Sequence, residues 1–353
     1  MNLNYNYLLI FFTGFVLALV FTFFYIWLAK KTNFVDDPKS SPRKIHTKPI
    51  PFGGGTAIFL AVFILVTILA KQGLLIDNKI APQILLGLFA SALVLIISGL
   101  IDDKLSLKPW QSLLGPIIAI VVIMSCGLHI NYITNPLGGI LHIDKIWFGY
   151  FSLMLTFLWL LGMTYTTKLL DGIDGLASSI CLIASLMIFI VSLTWDVRYS
   201  TTSFLSLALA GSLLGFLVWN WHPAKVFLGE GGSTFIGFSL GVLAIISGSK
   251  IATALLVMGA PIIDVVLVIG RRLKKKKAFW QGDNEHLHFK LRRAGLSQPQ
   301  IVLFLSLLSL CFGAIAIFFS TKIKIIVLLL FVVFLLIFNY KINSYLQKKY
   351  EKL

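Results

Sequence analysis

Eleven long apolar runs leave this chain few ways to fold; they lie at about 7–29, 53–70, 82–101, 113–130, 147–163, 176–195, 202–220, 233–248, 251–270, 300–320 and 323–340. Each approaches the roughly 20 apolar residues that an α-helix needs to cross a bilayer. The runs are continuous rather than alternating and are longer than barrel strands, which excludes a β-barrel. The expected fold class is therefore an all-α polytopic membrane protein with about 11 transmembrane helices. Only Ser249 and Lys250 separate the eighth run from the ninth. Charged residues make up 12% of the 353 residues and hydrophobic ones 58%, whereas a soluble domain carries roughly 25% charged residues. A water-soluble fold has too little interior to hide that much apolar surface, so a soluble enzyme, a disordered tail and a disulfide-rich secreted module are excluded. Cys126, Cys181 and Cys311 fall inside apolar runs and imply neither a disulfide framework nor a metal cluster. The longest polar stretch, about 271–299, is too short to fold alone, so residues 1–353 read as one integral-membrane domain without internal repeats.

The net charge is +16. Such an excess suits a nucleic-acid binder, but in a membrane chain it marks loops on the cytoplasmic side, and no nucleic-acid partner is expected. The first run follows a segment without basic residues and ends in Lys30-Lys31 with no small-residue cleavage site, as an anchor does and a signal peptide does not. With the N-terminus outside and the C-terminus cytoplasmic, 23 basic residues fall inside and 7 outside, in line with the positive-inside rule. Trp27, Trp110, Trp147, Trp195, Trp219 and Trp221 sit near the ends of the runs, as an interfacial aromatic belt would.

The acids divide more sharply. Only Asp77, Asp144 and Asp196 of the 14 fall outside. The positive-inside rule does not require acids on the cytoplasmic face, since Asp and Glu contribute little to orientation. Asp102 and Asp103 end the third run, where negative charge opposes the helix dipole. They read either as a solvated helix end paired with Lys104 or as hard oxygen ligands or bases at the membrane surface. Asp171 and Asp174, each followed by Gly, enter the sixth run either as helix caps or as two acids on one side of a turn, with glycine letting a ligand approach. In Phe227-Leu-Gly-Glu230-Gly-Gly-Ser233-Thr234, Ser233 reads as an N-cap with Gly231-Gly232 as a turn, or the segment forms a phosphate site from free helix-start amides with Glu230 aimed at a divalent cation.

The last polar stretch holds Arg271-Arg272, a Lys run ending at Lys277, and Asp283-Asn-Glu-His286-Leu-His288-Phe-Lys290. The Lys run reads as a topology anchor or a lipid-headgroup contact. On a helix, residues two apart point away from each other, whereas in an extended segment His286, His288 and Lys290 share a side. An extended, cationic, phosphate-binding patch is expected there. Zinc is disfavoured, since no third His or Cys lies nearby. Residues 36–55, with Arg43, His46, Lys48 and a high density of Pro and Gly, read as a rigid shaped loop on the same face.

Together these segments resemble the polyprenyl-phosphate N-acetylhexosamine-1-phosphate transferases, a branch of glycosyltransferase family 4. The resemblance covers nearly the whole chain and is carried by Arg43-Lys-Ile-His-Thr-Lys-Pro-Ile-Pro, Asp102-Asp103, Leu170-Asp-Gly-Ile-Asp-Gly-Leu-Ala177, Phe227-Leu-Gly-Glu-Gly-Gly-Ser233, Pro261-Ile-Ile-Asp264 with Arg271-Arg272, and His286-Leu-His288. It implies a Mg²⁺-dependent enzyme (Mn²⁺ being an alternative ion) of the bacterial cytoplasmic membrane. Such an enzyme joins a UDP-N-acetylhexosamine to polyprenyl phosphate and releases UMP at the start of cell-envelope glycan synthesis, with GlcNAc the default sugar. Loops at about 30–52, 102–112, 164–175, 221–232 and 271–299 would form the active site on the cytoplasmic face. By resemblance Asp102, Asp103, Asp171 and Asp174 are the catalytic acids, with Asp102 able to act as base. Asp103, Asp171 and Glu230 would hold the metal, and Lys48, Lys168, Gly231, Ser233, Arg271, Arg272, His286, His288 and Lys290 would bind substrate.

Three departures from the family pattern stand out. Glu230 replaces an Asp, Lys168 replaces an Asn, and Phe289-Lys290 replaces a His-Arg pair. Competing readings are the phospho-N-acetylmuramoyl-pentapeptide transferase branch, a noncatalytic scaffold member, and a transporter. The last is disfavoured because no charge sits near a predicted midplane. Oligomeric state is left open, a homodimer included.

Overall fold

The computed structural model describes residues 3–38, 47–75, 81–135, 139–195, 200–247, 251–274, 276, 285–319 and 321–350. Arg43, Lys44, His46, Asp283 and Lys277, singled out above, lie outside the described residues.

All eleven apolar runs are helical. In chain order the helices are α1 (Leu3–Lys31), α2 (Gly55–Lys71), α3 (Pro82–Leu105), α4 (Pro109–Ser112), α5 (Leu114–Ser125), α6 (Tyr150–Leu170), α7 (Leu176–Trp195), α8 (Thr201–Asn220) and α9 (Gly229–Ile246). There follow α10 (Ile251–Val257), α11 (Gly259–Lys274), α12 (Leu287–Ala294), α13 (Gln298–Phe318) and α14 (Thr321–Tyr350). Among the described residues, eight helices are long and apolar enough to cross a membrane, or nine if the bent pair α10–α11 is one span. The remaining two runs form the shorter apolar helices at Gly55–Lys71 and Pro109–Ser125. The chain is thus an all-α, multi-pass membrane protein.

The ninth run, expected as one helix, bends by 76° between Val257 and Gly259. Pro261 explains the break. It has no amide for the Val257 carbonyl, and its ring crowds that carbonyl, so α10 cannot continue straight into α11. No strands were expected, yet two short antiparallel ladders lie outside the helices. These are β1 (Val35–Asp36) with β2 (Ile50–Pro51), and β3 (Tyr132–Thr134) with β4 (Ile140–His142).

Helices α8 and α9 are buried along most of their length and form the centre of the bundle. α8 packs on α1, α7 and α2, while α9 packs on α3 and α6. The C-terminal end of α1, with Trp27 and Lys30, borders a cavity at one end of the bundle, so the N-terminus of this 29-residue helix lies at the far end. The segments that reach the cavity are the β1–β2 region, the end of α3, the α6–α7 and α8–α9 connections, and the α12–α13 region.

Candidate active site

Helix ends place the polar groups. α3 stops where Ser106 enters the left-handed region at φ +48°, leaving Asp102 and Asp103 on its last turn. Asp102 Oδ1 accepts the Leu107 amide at 3.0 Å, which ties down the chain beyond the helix. Its Oδ2 lies 3.7 Å from Lys168 Nζ. Lys168, rather than the expected Lys104, is therefore the compensating cation. Lys104 instead borders a separate apolar groove with Tyr25, Leu100 and Leu105.

Asp103 Oδ1 accepts the Glu230 amide at 3.1 Å, so a carboxylate from α3 satisfies a free amide in the first turn of α9. Asp103 Oδ2 is buried with no hydrogen-bond partner. This corrects the reading of Ser233 as an N-cap. α9 already begins at Gly229, and Ser233 Oγ donates to the Glu230 carbonyl at 3.2 Å. It also corrects the reading of Gly231-Gly232 as a turn or phosphate loop. Both lie inside α9 and are buried. A Cβ at Gly99 of α3 would fall on the Gly231 backbone, and one at Gly55 of α2 on that of Gly232. These glycines bring three helix backbones together, and Gly231 packs on α3 rather than facing a ligand.

Lys168, on the last turn of α6, crosses to the same place. Its Nζ donates to Ser112 Oγ at 2.6 Å and pairs with Glu230 Oε2 at 2.8 Å. The next residues form a turn rather than a helix start. Asp171 ends α6, its amide donating to the Thr167 carbonyl, and Gly175 at φ +74° turns the chain into α7. Asp171 lines the cavity. Burial, with the Glu230 and Asp174 carboxylates nearby, pushes its carboxyl up to about 7. Asp174 is differently engaged. Its Oδ2 meets His222 Nδ1 at 2.7 Å and accepts the Ala224 amide at 3.2 Å, while its own amide donates to Gln298 Oε1.

The histidine segment corrects another expectation. His286 is the extended N-cap residue of α12, but His288 and Lys290 are on the helix. The two imidazoles do share a side, as parallel rings 5.8 Å apart. Two of its three side chains are engaged within the protein, however. His286 Nδ1 is tied to Asp264 Oδ2 at 2.8 Å, and Asp264 Oδ1 accepts the Leu287 amide, so Asp264 caps α12. Burial, and then the neighbouring His286, lowers the His288 imidazole to about 3 and keeps it neutral. Its Nε2 has no hydrogen-bond partner and lies against Gly172 of the acidic turn. Lys290 turns away altogether. It is fully buried, donates to Asn339 Oδ1 of α14 at 2.6 Å, and is lowered to about 8 by burial. Arg271 binds the Glu285 carbonyl and approaches its carboxylate at 3.7 Å, and Arg272 is buried.

The cavity measures about 1020 Å³. It brings together Lys48, Asp103, Lys168, Asp171, Asp174, Glu230 and Ser233 from four separated segments. Asp102 stands behind Lys168, and His288 supports the turn at Gly172. Gly231, Arg271, Arg272, His286 and Lys290 do not line it. His222 does, and so do Phe289 and Gln298. His222 was missed by sequence reasoning. Its signal was a titratable side chain in Trp219-Asn-Trp-His-Pro-Ala-Lys225, directly ahead of the Glu230 motif. An apolar wall of Phe23, Ile26 and Trp27 from α1, with Trp219 and Phe227, completes the site. A cavity lined by cations and carboxylates and by apolar groups suits a reaction between a polar anion and a lipid anion.

The acids suit a hard divalent cation. Asp103, Asp171 and Glu230 offer oxygen donors in one cavity, and Asp103 Oδ2 is a buried oxygen still lacking a partner. Among the described residues no three His, Cys, Asp or Glu side chains close on one point. The residues therefore fit an ion of the Mg²⁺ type, which takes one or two carboxylates and completes its shell with phosphate oxygens and water. A cage made wholly of protein ligands is not present among them.

Residues 85–248 match the model of glycosyl transferase family 4. A probable undecaprenyl-phosphate N-acetylglucosaminyl 1-phosphate transferase of Bacillus subtilis (strain 168) is 32% identical over 316 residues, covering 88% of this chain and 83% of the relative. A decaprenyl-phosphate N-acetylglucosaminephosphotransferase of Mycobacterium leprae is 29% identical over 323 residues, covering 84% and 80%. A phospho-N-acetylmuramoyl-pentapeptide-transferase of Bacillus subtilis matches a shorter part of the chain, 31% identical over 283 residues and covering 76% and 82%. A match of this length and identity makes the chain a member of glycosyl transferase family 4.

Proposed function

We propose that this protein transfers N-acetylglucosamine-1-phosphate from UDP-N-acetylglucosamine to a polyprenyl phosphate, giving polyprenyl-diphosphate-N-acetylglucosamine and UMP. The observation that carries this reading is the cavity where Asp103, Asp171, Lys168 and Glu230 meet beside an apolar wall from α1. The names of the Bacillus subtilis (32% identical) and Mycobacterium leprae relatives support the same acceptor class and sugar. The positive-inside distribution supports placing this end of the bundle at the cytoplasmic face of a bacterial inner membrane, where both substrates are accessible.

In the reaction an oxygen of the acceptor phosphate attacks the sugar-linked phosphorus of the donor. A new P–O bond forms, the bond to the bridging diphosphate oxygen breaks, and UMP carries that oxygen away. Mg²⁺ or Mn²⁺ would be held by Asp103 and Asp171, and when bound it neutralises diphosphate charge and makes the phosphorus more electrophilic. The side chains contribute the rest. Lys168 and Lys48 offset the charge of two anions brought together. Asp102 and Ser112 hold the Lys168 ammonium in place. Asp174 orients His222, whose second ring nitrogen can donate to a phosphate oxygen. The acceptor phosphate is largely ionised at neutral pH (second pKa about 6), so proton removal is a small part of the work.

With purified protein, polyprenyl phosphate and a panel of UDP-sugars, UMP release is expected with UDP-N-acetylglucosamine and is expected to stop in EDTA. Absence of UMP with every donor overturns the reading, and EDTA-resistant release overturns the metal role. His222→Ala is expected to lower kcat/KM about 10²-fold, as loss of a positioned donor does. The His222→Ala/Asp174→Asn double variant should be no worse than the weaker single variant, because the two act as a unit. Additive losses would separate them.

A further inference from the structure

Lys168 stands beside two carboxylates, those of Glu230 in the cavity and of Asp102 behind it. It is held from several directions. Ser112 Oγ accepts from it at 2.6 Å, the Tyr165 ring lies 5.7 Å from Nζ, and Asp102 Oδ2 stands 3.7 Å away. In this position it pairs with Glu230 Oε2 at 2.8 Å. Glu230 is one of three acids available to a divalent ion, and its carboxylate is already engaged by an ammonium. Lys168 and Glu230 are also two of the positions at which the chain departs from the family pattern. They are 62 residues apart in sequence, and the packing of α6 on α9 joins them.

We propose that Lys168 is a built-in competitor of the divalent cation for Glu230. In the resting protein the ammonium neutralises Glu230 and keeps metal affinity low. When a donor diphosphate enters, its oxygens offer Lys168 a second anionic partner within reach of its flexible stem. Glu230 is thereby released toward the metal, so metal and donor bind with positive coupling. Lys168 is thus a positioning residue that ties metal binding to the presence of donor. The proposal rests on the metal-dependent transferase reading.

The test is Mn²⁺ binding to the full chain in detergent, read by electron paramagnetic resonance, so that it does not depend on turnover. Without nucleotide, Lys168→Met is expected to bind Mn²⁺ about tenfold tighter than wild type, or about 1.4 kcal/mol. Lys168→Arg keeps the cation and should retain the weak wild-type affinity. In the Lys168→Met/Glu230→Gln double variant the gain should disappear. UDP-N-acetylglucosamine should tighten Mn²⁺ binding to wild type more than to Lys168→Met. Lys104→Met, which removes a nearby charge outside the cavity, should stay within about twofold of wild type. Equal or weaker Mn²⁺ binding by Lys168→Met overturns the proposal while leaving metal-dependent UMP release intact. Failure of UMP release in the wild type strikes the transferase reading instead. Should Lys168→Met not fold, the wild-type comparison decides, and no tightening of Mn²⁺ by donor overturns the proposal.

Discussion

Asp171→Asn is expected to lower kcat for UMP release by at least about 10³-fold while leaving the protein folded. The side chain keeps its shape but loses the charge that a cation or a developing phosphate charge would meet. Asp171 stands at the end of α6, in the cavity, on a turn whose other acid is already committed to His222 and the Ala224 amide. Its ionised form is held at a cost. Burial and the nearby Glu230 and Asp174 carboxylates raise its carboxyl to about 7, against an ordinary value of 3.8. A carboxyl raised in the folded state means that the folded protein disfavours the charge at neutral pH. The amide removes that penalty, so the melting temperature of the metal-free protein should stay level or rise. Such opposition between stability and activity marks a functional residue rather than a packing one. A fully active Asp171→Asn protein, or one that fails to fold, would remove the core of the site assignment.

Gly99→Ala is expected to destabilise the protein by about 3 kcal/mol, the upper part of the range for overpacking, and to reduce activity as well. The added Cβ would fall on the backbone of Gly231, which cannot rotate aside as a side chain can. The relief available is separation of α3 from α9. That movement also draws Asp103 away from the Glu230 amide that it caps at 3.1 Å. One methyl group, placed away from the reacting groups, therefore strains both the helix interface and the acidic cluster. Thermal unfolding in detergent and UMP release measure the two effects. Ile97→Ala on the exposed face of the same helix serves as the comparison and should cost far less. Wild-type stability in Gly99→Ala would show that α3 and α9 are not held as close as described.

The helices were legible because their cause is local. A run of about 20 apolar residues has no other way to satisfy its backbone in a membrane, and every such run is helical. The bend at Val257 was missed although its cause, Pro261, is local too. The continuous apolar pattern of residues 251–270 outweighed one proline. The acids were legible as a set because charge is scarce in this chain. Their division of labour was not. Asp102 and Asp103 are adjacent in sequence, yet one faces Lys168 and the other caps α9. Asp171 and Asp174 share a turn, yet Asp174 serves His222.

Gly231-Gly232 and His286-Leu-His288 show the harder failure. Read as local geometry, two glycines mean a turn and alternate histidines mean an extended patch. In the structure the glycines are demanded by Gly99 and Gly55 on other helices, and α12 begins at Leu287 because Asp264 caps it from α11. Lys290 followed its register away from the cavity to Asn339. By itself the sequence determined the membrane-spanning class, the scarcity and grouping of the acids, and the family. Only the tertiary structure decided which acid meets which cation and which glycine holds two helices together. Hydrophobic transfer acts along a continuous segment and can be read from it, whereas hydrogen bonds and ion pairs act over a few ångströms between residues that only packing brings together.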